Sequence, residues 1–259
     1  MQYDDQDLEF GVPFPGLPLP KEQWTQTGIK RLPTTGHLEV KQVFGRAGAL
    51  ALDLGCGNGR STILLSYLHP ELNWLGIDVL PLAIRYAIRR ANQRGRQNVR
   101  FAVADARELM LRLIAPHSIA EIHLYHPQPY YDLAQAHKRL VTPEWLAWVY
   151  QALVPDGRFY VQTDNPGYWR YIKELLPMAF QFEERFEPWP WAKEGISRRE
   201  ILARQQQLPI YRGVAVPLSG LTCAGIRSKG EQLPPPVFDA DRRLRALEQQ
   251  EQRFNSKQK

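Results

Sequence analysis

Cysteine is nearly absent, Cys56 and Cys223 being the only two in 259 residues. Two thiols so far apart in sequence make neither a disulfide framework nor a cysteine cluster for a metal. Reduced thiols are expected, and with them the cytoplasm. Histidine is sparse too, and none of the six stands in company that suggests metal ligation, so no metal is expected. No apolar run approaches the roughly 20 residues of a membrane span. Met1 to Glu9 is acidic and lacks an apolar stretch, so no secretory signal is expected there. No internal repeat is visible. Charge of one sign is only mildly in excess: 33 Lys and Arg against 27 Asp and Glu leave a net +6. That balance is compatible with a nucleic-acid partner without requiring one.

What is present begins with proline. Pro13, Pro15, Pro18 and Pro20 fall within Gly11–Pro20, a density that excludes a helix or a central strand. Residues 1–35 are therefore expected to form an extended arm. A domain over 36–228 then opens with the apolar run Ala49 to Gly55, read as a buried strand entering a tight turn. Strand and helix alternate from there. Helices are expected at Arg60–Leu68, Pro81–Arg94, Arg107–Leu113 and Thr142–Leu153. Strands are expected at Asn73–Asp78, Val99–Ala104, Ile119–Tyr125 and Arg158–Gln162. This rhythm predicts an α/β fold, a doubly wound, mostly parallel sheet of Rossmann-like type. A helix to about Leu176, a strand at Phe180–Phe186, a helix at Ser197–Gln207 and an extended run at Pro209–Val216 complete it. The polar stretch 229–259 reads as a tail whose last twenty residues form a frayed surface helix.

Asp53-Leu54-Gly55-Cys56-Gly57-Asn58-Gly59 is the informative turn. In such folds ligands lie beyond the carboxyl ends of the strands, and Gly55, Gly57 and Gly59 let a backbone approach one. Asp53 ends the first strand, Asp78 the second, and Asp105 follows the third. Three acids at three strand ends suit an adenosine that carries positive charge, with Asp78 accepting from ribose hydroxyls and Asp105 from an adenine amino group. They would repel a pyrophosphate, and the turn lacks the third glycine of a dinucleotide fingerprint at its required offset. S-adenosylmethionine is the cofactor that matches.

From Asp53 to about Tyr171 the chain resembles the bacterial tRNA (guanine-N7)-methyltransferases. The strings that carry the resemblance are LDLGCGNG, HPELNWLGID, NVRFAVADA, a Pro-x-Pro-aromatic element after the fourth strand, and TDNPGY after the fifth. It implies a class I, S-adenosylmethionine-dependent methyltransferase acting on a variable-loop guanine of tRNA. It further implies that Asp53, Asp78 and Asp105 contact the cofactor and that Asp164 contacts the substrate. The chain departs from the family pattern in places. Gln128 stands where the family has a pocket aspartate, and Asp132 where it has a lysine. Of a basic run only His137, Lys138 and Arg139 remain, and the TxxE element expected near Leu208 to Gly213 is not there.

Guanine N7 has a lone pair and no proton, so its methylation needs orientation rather than a general base. A carboxylate facing the ring offsets the positive charge that develops there. Asp164 is the candidate, with the N-cap of the following helix as its alternative role. Gln128 and Tyr130 are candidates for hydrogen bonding and stacking on the base, and Lys138 and Arg139 for phosphate. Trp189 and Trp191 read as packing aromatics. Two other functions fit the same residues: methylation of an exocyclic amine or small molecule, since QPYY resembles the (Asp/Asn)-Pro-Pro-(Tyr/Phe) of such enzymes, and a non-catalytic, cofactor-binding RNA protein.

Overall fold

The computed structural model describes residues 7–233, 236, 238 and 242–256, so both ends of the expected arm and tail lie partly outside it. A small hairpin, β1 (Leu8–Glu9) and β2 (Val12–Pro13), comes first, and a short helix α1 (Val40–Phe44) follows the arm. The alternating unit is β3 (Leu50–Leu54), α2 (Arg60–Leu68), β4 (Asn73–Asp78), α3 (Pro81–Gln93), β5 (Val99–Val103), α4 (Ala106–Arg112) and β6 (Ile119–Tyr125). It continues through α5 (Pro143–Ala152), β7 (Leu153–Thr163), α6 (Pro166–Leu175), β8 (Phe180–Arg185), α7 (Arg198–Gln205) and β9 (Tyr211–Pro217). Two further helices, α8 (Cys223–Glu231) and α9 (Arg242–Ser256), end the described chain.

The seven-stranded sheet has the order β5-β4-β3-β6-β7-β9-β8. β3 pairs in parallel with both β4 and β6, and only β9 runs antiparallel to its neighbours β7 and β8. The expected doubly wound sheet is thus the one observed. Its winding reverses between β3 and β6, which opens a crevice at their carboxyl ends. Every residue of β3 is buried, as a strand covered on both faces requires. Leu50, Leu52 and Leu54 face the layer holding Trp145, Leu146 and Tyr168. Ala51 faces the opposite layer with Ile63, Trp74 and Phe101. That period of two also points Asp53 toward α2.

Local chemistry sets the helix starts. Pro81 and Pro143 occupy first-turn positions where a missing N–H costs nothing. Thr142 accepts from Trp145 N, and Asn165 from Tyr168 N. Gly59 begins α2 at φ +80°, and a Cβ there would lie 2.8 Å from the Ala87 Cβ and 2.9 Å from the Phe101 ring. Only glycine meets both demands.

Both terminal segments pack against the domain. The arm is extended but docked: Asp7 pairs with Arg90 and Arg94, and the buried Phe14 ring lies against the guanidinium groups of Arg60, Arg90 and Arg94. The tail helix is not a frayed surface element. Leu244 and Leu247, one turn apart, are buried against Leu202, Ala203 and Leu208. Among the described residues, no helix is long and apolar enough to cross a membrane, and no group of three or more His, Cys, Asp or Glu could hold a metal ion.

Candidate functional site

A cavity of about 870 Å³ opens along the carboxyl ends of the parallel strands. That size suits one nucleoside-sized ligand with room beside it. The parallel register explains why it gathers chemistry: Asp78, Asp105, the loop His126–Tyr130 and Asp164 each follow or end a strand, so the sheet delivers them to one edge.

One wall is the glycine turn. Gly55 and Gly57 adopt φ +77° and +54°, and a Cβ at either would project into open space. The N–H groups of Gly55 and Cys56 both reach the Ile77 carbonyl at 2.9 Å. Asp78 lines the cavity and fixes the turn, accepting from Gly57 N at 3.0 Å through Oδ2 and from Leu80 N at 2.9 Å through Oδ1. Burial pushes its carboxyl above the ordinary range, against these backbone hydrogen bonds. Asp105 caps α4, accepting from Arg107 N and Glu108 N through Oδ1, and also lines the cavity.

Asp53 and Gly59 lie elsewhere. Asp53 is 1% exposed and does not line the cavity. Its Oδ2 accepts from the hydroxyls of Ser61 and Thr62, the latter at 2.6 Å. The strand's alternation turns it under α2, where it anchors the helix that follows the turn, and burial raises its pKa. Gly59 serves the contact between α2 and its neighbours described above. Direct cofactor contact, expected of both, is not what their positions provide.

Across the cavity stands Asp164, 5% exposed. It is not the cap of α6, a role that belongs to Asn165. Arg199 Nε donates to its Oδ2 at 2.7 Å, and His126 Nδ1 lies 3.5 Å from Oδ1. Burial acts to raise its pKa, but His126 and Arg199 outweigh that and hold the carboxyl well below the usual carboxylate range. Beneath it runs a buried network the sequence did not disclose. Glu200, fully buried, accepts from Gln162 Nε2 at 3.0 Å, from Ile196 N at 2.8 Å, and from Arg204 and Arg212. Gln162 in turn meets His126 Nε2 at 3.0 Å and accepts from Trp189 Nε1 at 2.8 Å. Trp189 and Trp191 stack on each other at 5.4 Å and meet Tyr160 edge-on, which is packing as expected.

Ser197-Arg198-Arg199-Glu200 also supplies the hydroxyl-x-x-Glu spacing sought farther along at 208–213. Ser197 caps α7 by accepting from Glu200 N at 3.1 Å. An S-x-x-E before an apolar residue is the sequence signal for such a cap.

The loop after β6 forms the rim. His126 and Tyr130 hold φ +53° and +44°, unusual for side-chain-bearing residues, and mark a tightly constrained turn. Gln128 is exposed there, Tyr130 is half-buried, and both line the cavity with the exposed Lys138. Arg139 corrects the expectation of a phosphate contact. It is 5% exposed and donates to the carbonyls of Pro129, Tyr130 and Pro236, each at 2.8 Å, while lying on the Phe238 ring. With those donors engaged inside the protein, its guanidinium is a strut for the rim. Tyr131 likewise spans two groups, accepting from Asn165 Nδ2 and donating to Glu248 of α9, each at 2.8 Å. Glu248 itself lines the cavity, so the tail helix contributes to the wall.

Residues 47–212 match a family model described as "Putative methyltransferase". A tRNA (guanine-N(7)-)-methyltransferase of Alkalilimnicola ehrlichii is 29% identical over 194 residues, which is 73% of this chain and 82% of that protein. One of Rubrobacter xylanophilus is 34% identical over 147 residues, 57% of this chain and 64% of that protein.

Proposed function

The chain belongs to this methyltransferase family, matched over well more than half its length, and on that premise we propose that it transfers a methyl group from S-adenosylmethionine to N7 of a guanine in the variable loop of tRNA. The relatives quoted above are named tRNA (guanine-N(7)-)-methyltransferases. The observation that carries the reading to this site is Asp164: a buried carboxylate, kept anionic by Arg199 and His126, facing a cavity whose other wall is a glycine turn with Asp78 and Asp105.

The residues fit the cofactor. Gly55 and Gly57 leave open the space a side chain would fill, and Asp78 and Asp105 retain acceptor capacity beyond their backbone bonds. We assign Asp78 to the ribose hydroxyls and Asp105 to the adenine amino group. The bound cofactor supplies an electrophilic methyl group on a sulfonium. The chain's own residues then orient the base. Asp164 accepts from the guanine N1–H and amino group and offsets the charge that develops on the ring. Gln128 and Tyr130 meet the base at the rim without adding charge, and Lys138 meets the RNA backbone. No side chain needs to remove a proton from N7. The cytoplasm, where tRNA resides, is the proposed compartment. A closed pocket for an exocyclic amine would need Gln128 inside it, and Gln128 is exposed.

The test is to incubate the protein with labelled cofactor and bulk tRNA from a strain lacking its own N7-methyltransferase, and to map the product by base-resolved mass spectrometry. Label at guanine N7 is expected. Product at an amino nitrogen instead, or no product despite cofactor binding, overturns the reading. Cofactor assignment is checked separately by calorimetry. Asp78→Ala should weaken S-adenosylhomocysteine by about 1.5–3 kcal/mol, the scale for hydrogen bonds to a charged group; unchanged affinity would remove Asp78 from the ribose.

A further inference from the structure

The arm carries an acid into the cavity. Glu9, at the end of β1, lines it beside the glycine turn, although it precedes the family match by far. Its residue is 7% exposed. Oε1 accepts from Asn58 Nδ2, the one side chain between the turn's last two glycines. Oε2 is buried and has no hydrogen-bond partner. The nearest cation is Arg60, whose Nη1 lies 3.6 Å from it, too far for a hydrogen bond, and is itself buried without one. The other nitrogens of Arg60 are engaged, Nε with the Gly195 carbonyl at 3.3 Å and Nη2 with the Pro13 carbonyl at 2.9 Å. Arg60 is 3% exposed and also lines the cavity.

One carboxylate oxygen and one guanidinium nitrogen are thus left unsatisfied side by side, at the end of the cavity formed by the turn and the start of α2. Buried polar atoms of this kind are rare, because each forgoes the hydrogen bonds it had in water. A ligand that carries a cationic and an anionic group on one carbon satisfies both. An α-amino acid is such a ligand, and the cofactor proposed above ends in one. Of the other acids near the turn, Asp53 has its Oδ2 engaged by two hydroxyls and lies outside the cavity, and Asp78 holds two backbone N–H groups.

Resting on that cofactor reading, we propose that Glu9 and Arg60 hold the amino-acid end of the cofactor, Glu9 Oε2 accepting from its ammonium and Arg60 Nη1 donating to its carboxylate. The Pro-rich arm is then a wall of the cofactor site. Its docking explains the investment in contacts that keep it there: Asp7 on Arg90 and Arg94, Phe14 beneath three arginines, and the Phe10 carbonyl accepting from Gln205 Nε2 at 2.8 Å.

The experiment is a cycle on the full chain, using S-adenosylhomocysteine and its deaminated analogue, in which hydrogen replaces the amino group. Calorimetry is run on wild type and on Glu9→Gln, whose amide oxygen can still accept from Asn58. Wild type should bind the parent about tenfold more tightly than the analogue, the scale of one charged hydrogen bond. Glu9→Gln should lose that preference, binding the parent about tenfold more weakly and the analogue as wild type does. Equal weakening of both ligands would make Glu9 a support for the turn only, and no change would remove it from the site; either overturns the proposal. Wild type that binds both ligands equally also overturns it, while leaving the cofactor reading intact. Wild type that binds neither removes that reading and this proposal together. If Glu9→Gln does not fold, Glu9→Asp carries the comparison: withdrawing the carboxylate by one methylene must weaken the parent more than the analogue.

Discussion

Asp164→Asn should lower the single-turnover rate on tRNA by about 100- to 1,000-fold, the range seen when one preorganised electrostatic partner is removed from a reacting centre. Cofactor affinity, measured by calorimetry, should stay within about threefold, because Asp164 faces the turn and Asp78 from across the cavity. Asparagine keeps the shape and an acceptor oxygen but not the charge. The loss therefore reports on charge that develops during transfer, and it should fall on kcat rather than KM. A rate within tenfold of wild type would remove Asp164 from the chemistry. The pH dependence has a definite sign. With its folded pKa depressed by His126 and Arg199, Asp164 contributes stability that is present above its unfolded value and lost as pH falls through the folded one. No inflection from Asp164 should appear in the rate between about pH 5 and 8, because it is ionised throughout.

Glu200→Ala should destabilise the chain by about 3–5 kcal/mol in urea titration, the cost of leaving a buried charge without its partner. Glu200 is fully buried and Arg212 is 3% exposed, their contact being 3.2 Å. Burial acts to raise the Glu200 pKa, yet the hydrogen bonds from Gln162 and Ile196, with Arg204 and His126, carry it below the usual range. Removal leaves the Arg212 charge without its carboxylate where water cannot reach it, deprives Ile196 N of its acceptor, and leaves Gln162 Nε2 with His126 alone. Because natural domains hold only about 5–15 kcal/mol in total, the variant should be close to unfolding at 37 °C. Replacing Glu200 and Arg212 together by leucine should cost less than Glu200→Ala alone, since the one cation then left without Glu200, Arg204, has a side chain 28% exposed and reaches water. A loss below about 1 kcal/mol in the single variant would mean that water enters the network.

These two residues divide in how legible they were. Asp164 stood in the sequence beside a motif, at the end of an apolar run. Glu200 looked like any charged residue on a polar helix, and what makes it costly to remove is a set of partners 4 to 38 positions away. Arg139 is opaque in the sequence for the same reason. A Lys-Arg pair reads as solvated, and three carbonyls that meet one guanidinium leave no trace in local sequence. The docking of the tail helix is hidden because composition averages over its faces, while Leu244 and Leu247 bury one of them.

The sequence by itself determined the alternation of strands and helices, the parallel sheet, the glycine turn and the acids at the strand ends. All of these depend on short-range periodicity, on turn chemistry, and on the rule that parallel strands present their carboxyl ends together. Only the tertiary structure decided which of those acids face the cavity. Asp53 and Asp78 share a face of the sheet, but the register sets Asp53 level with Gly76, two residues short of Asp78, so α2 covers the first and the second reaches the edge; the stagger of neighbouring strands is not written in either strand's own sequence. Tertiary structure alone also brought Glu9 to Asn58 across 49 positions and Arg199 to Asp164 across 35. Such contacts form between elements whose packing is driven by apolar burial, which is non-directional, so the polar groups that meet at the seams are known only once the elements are docked.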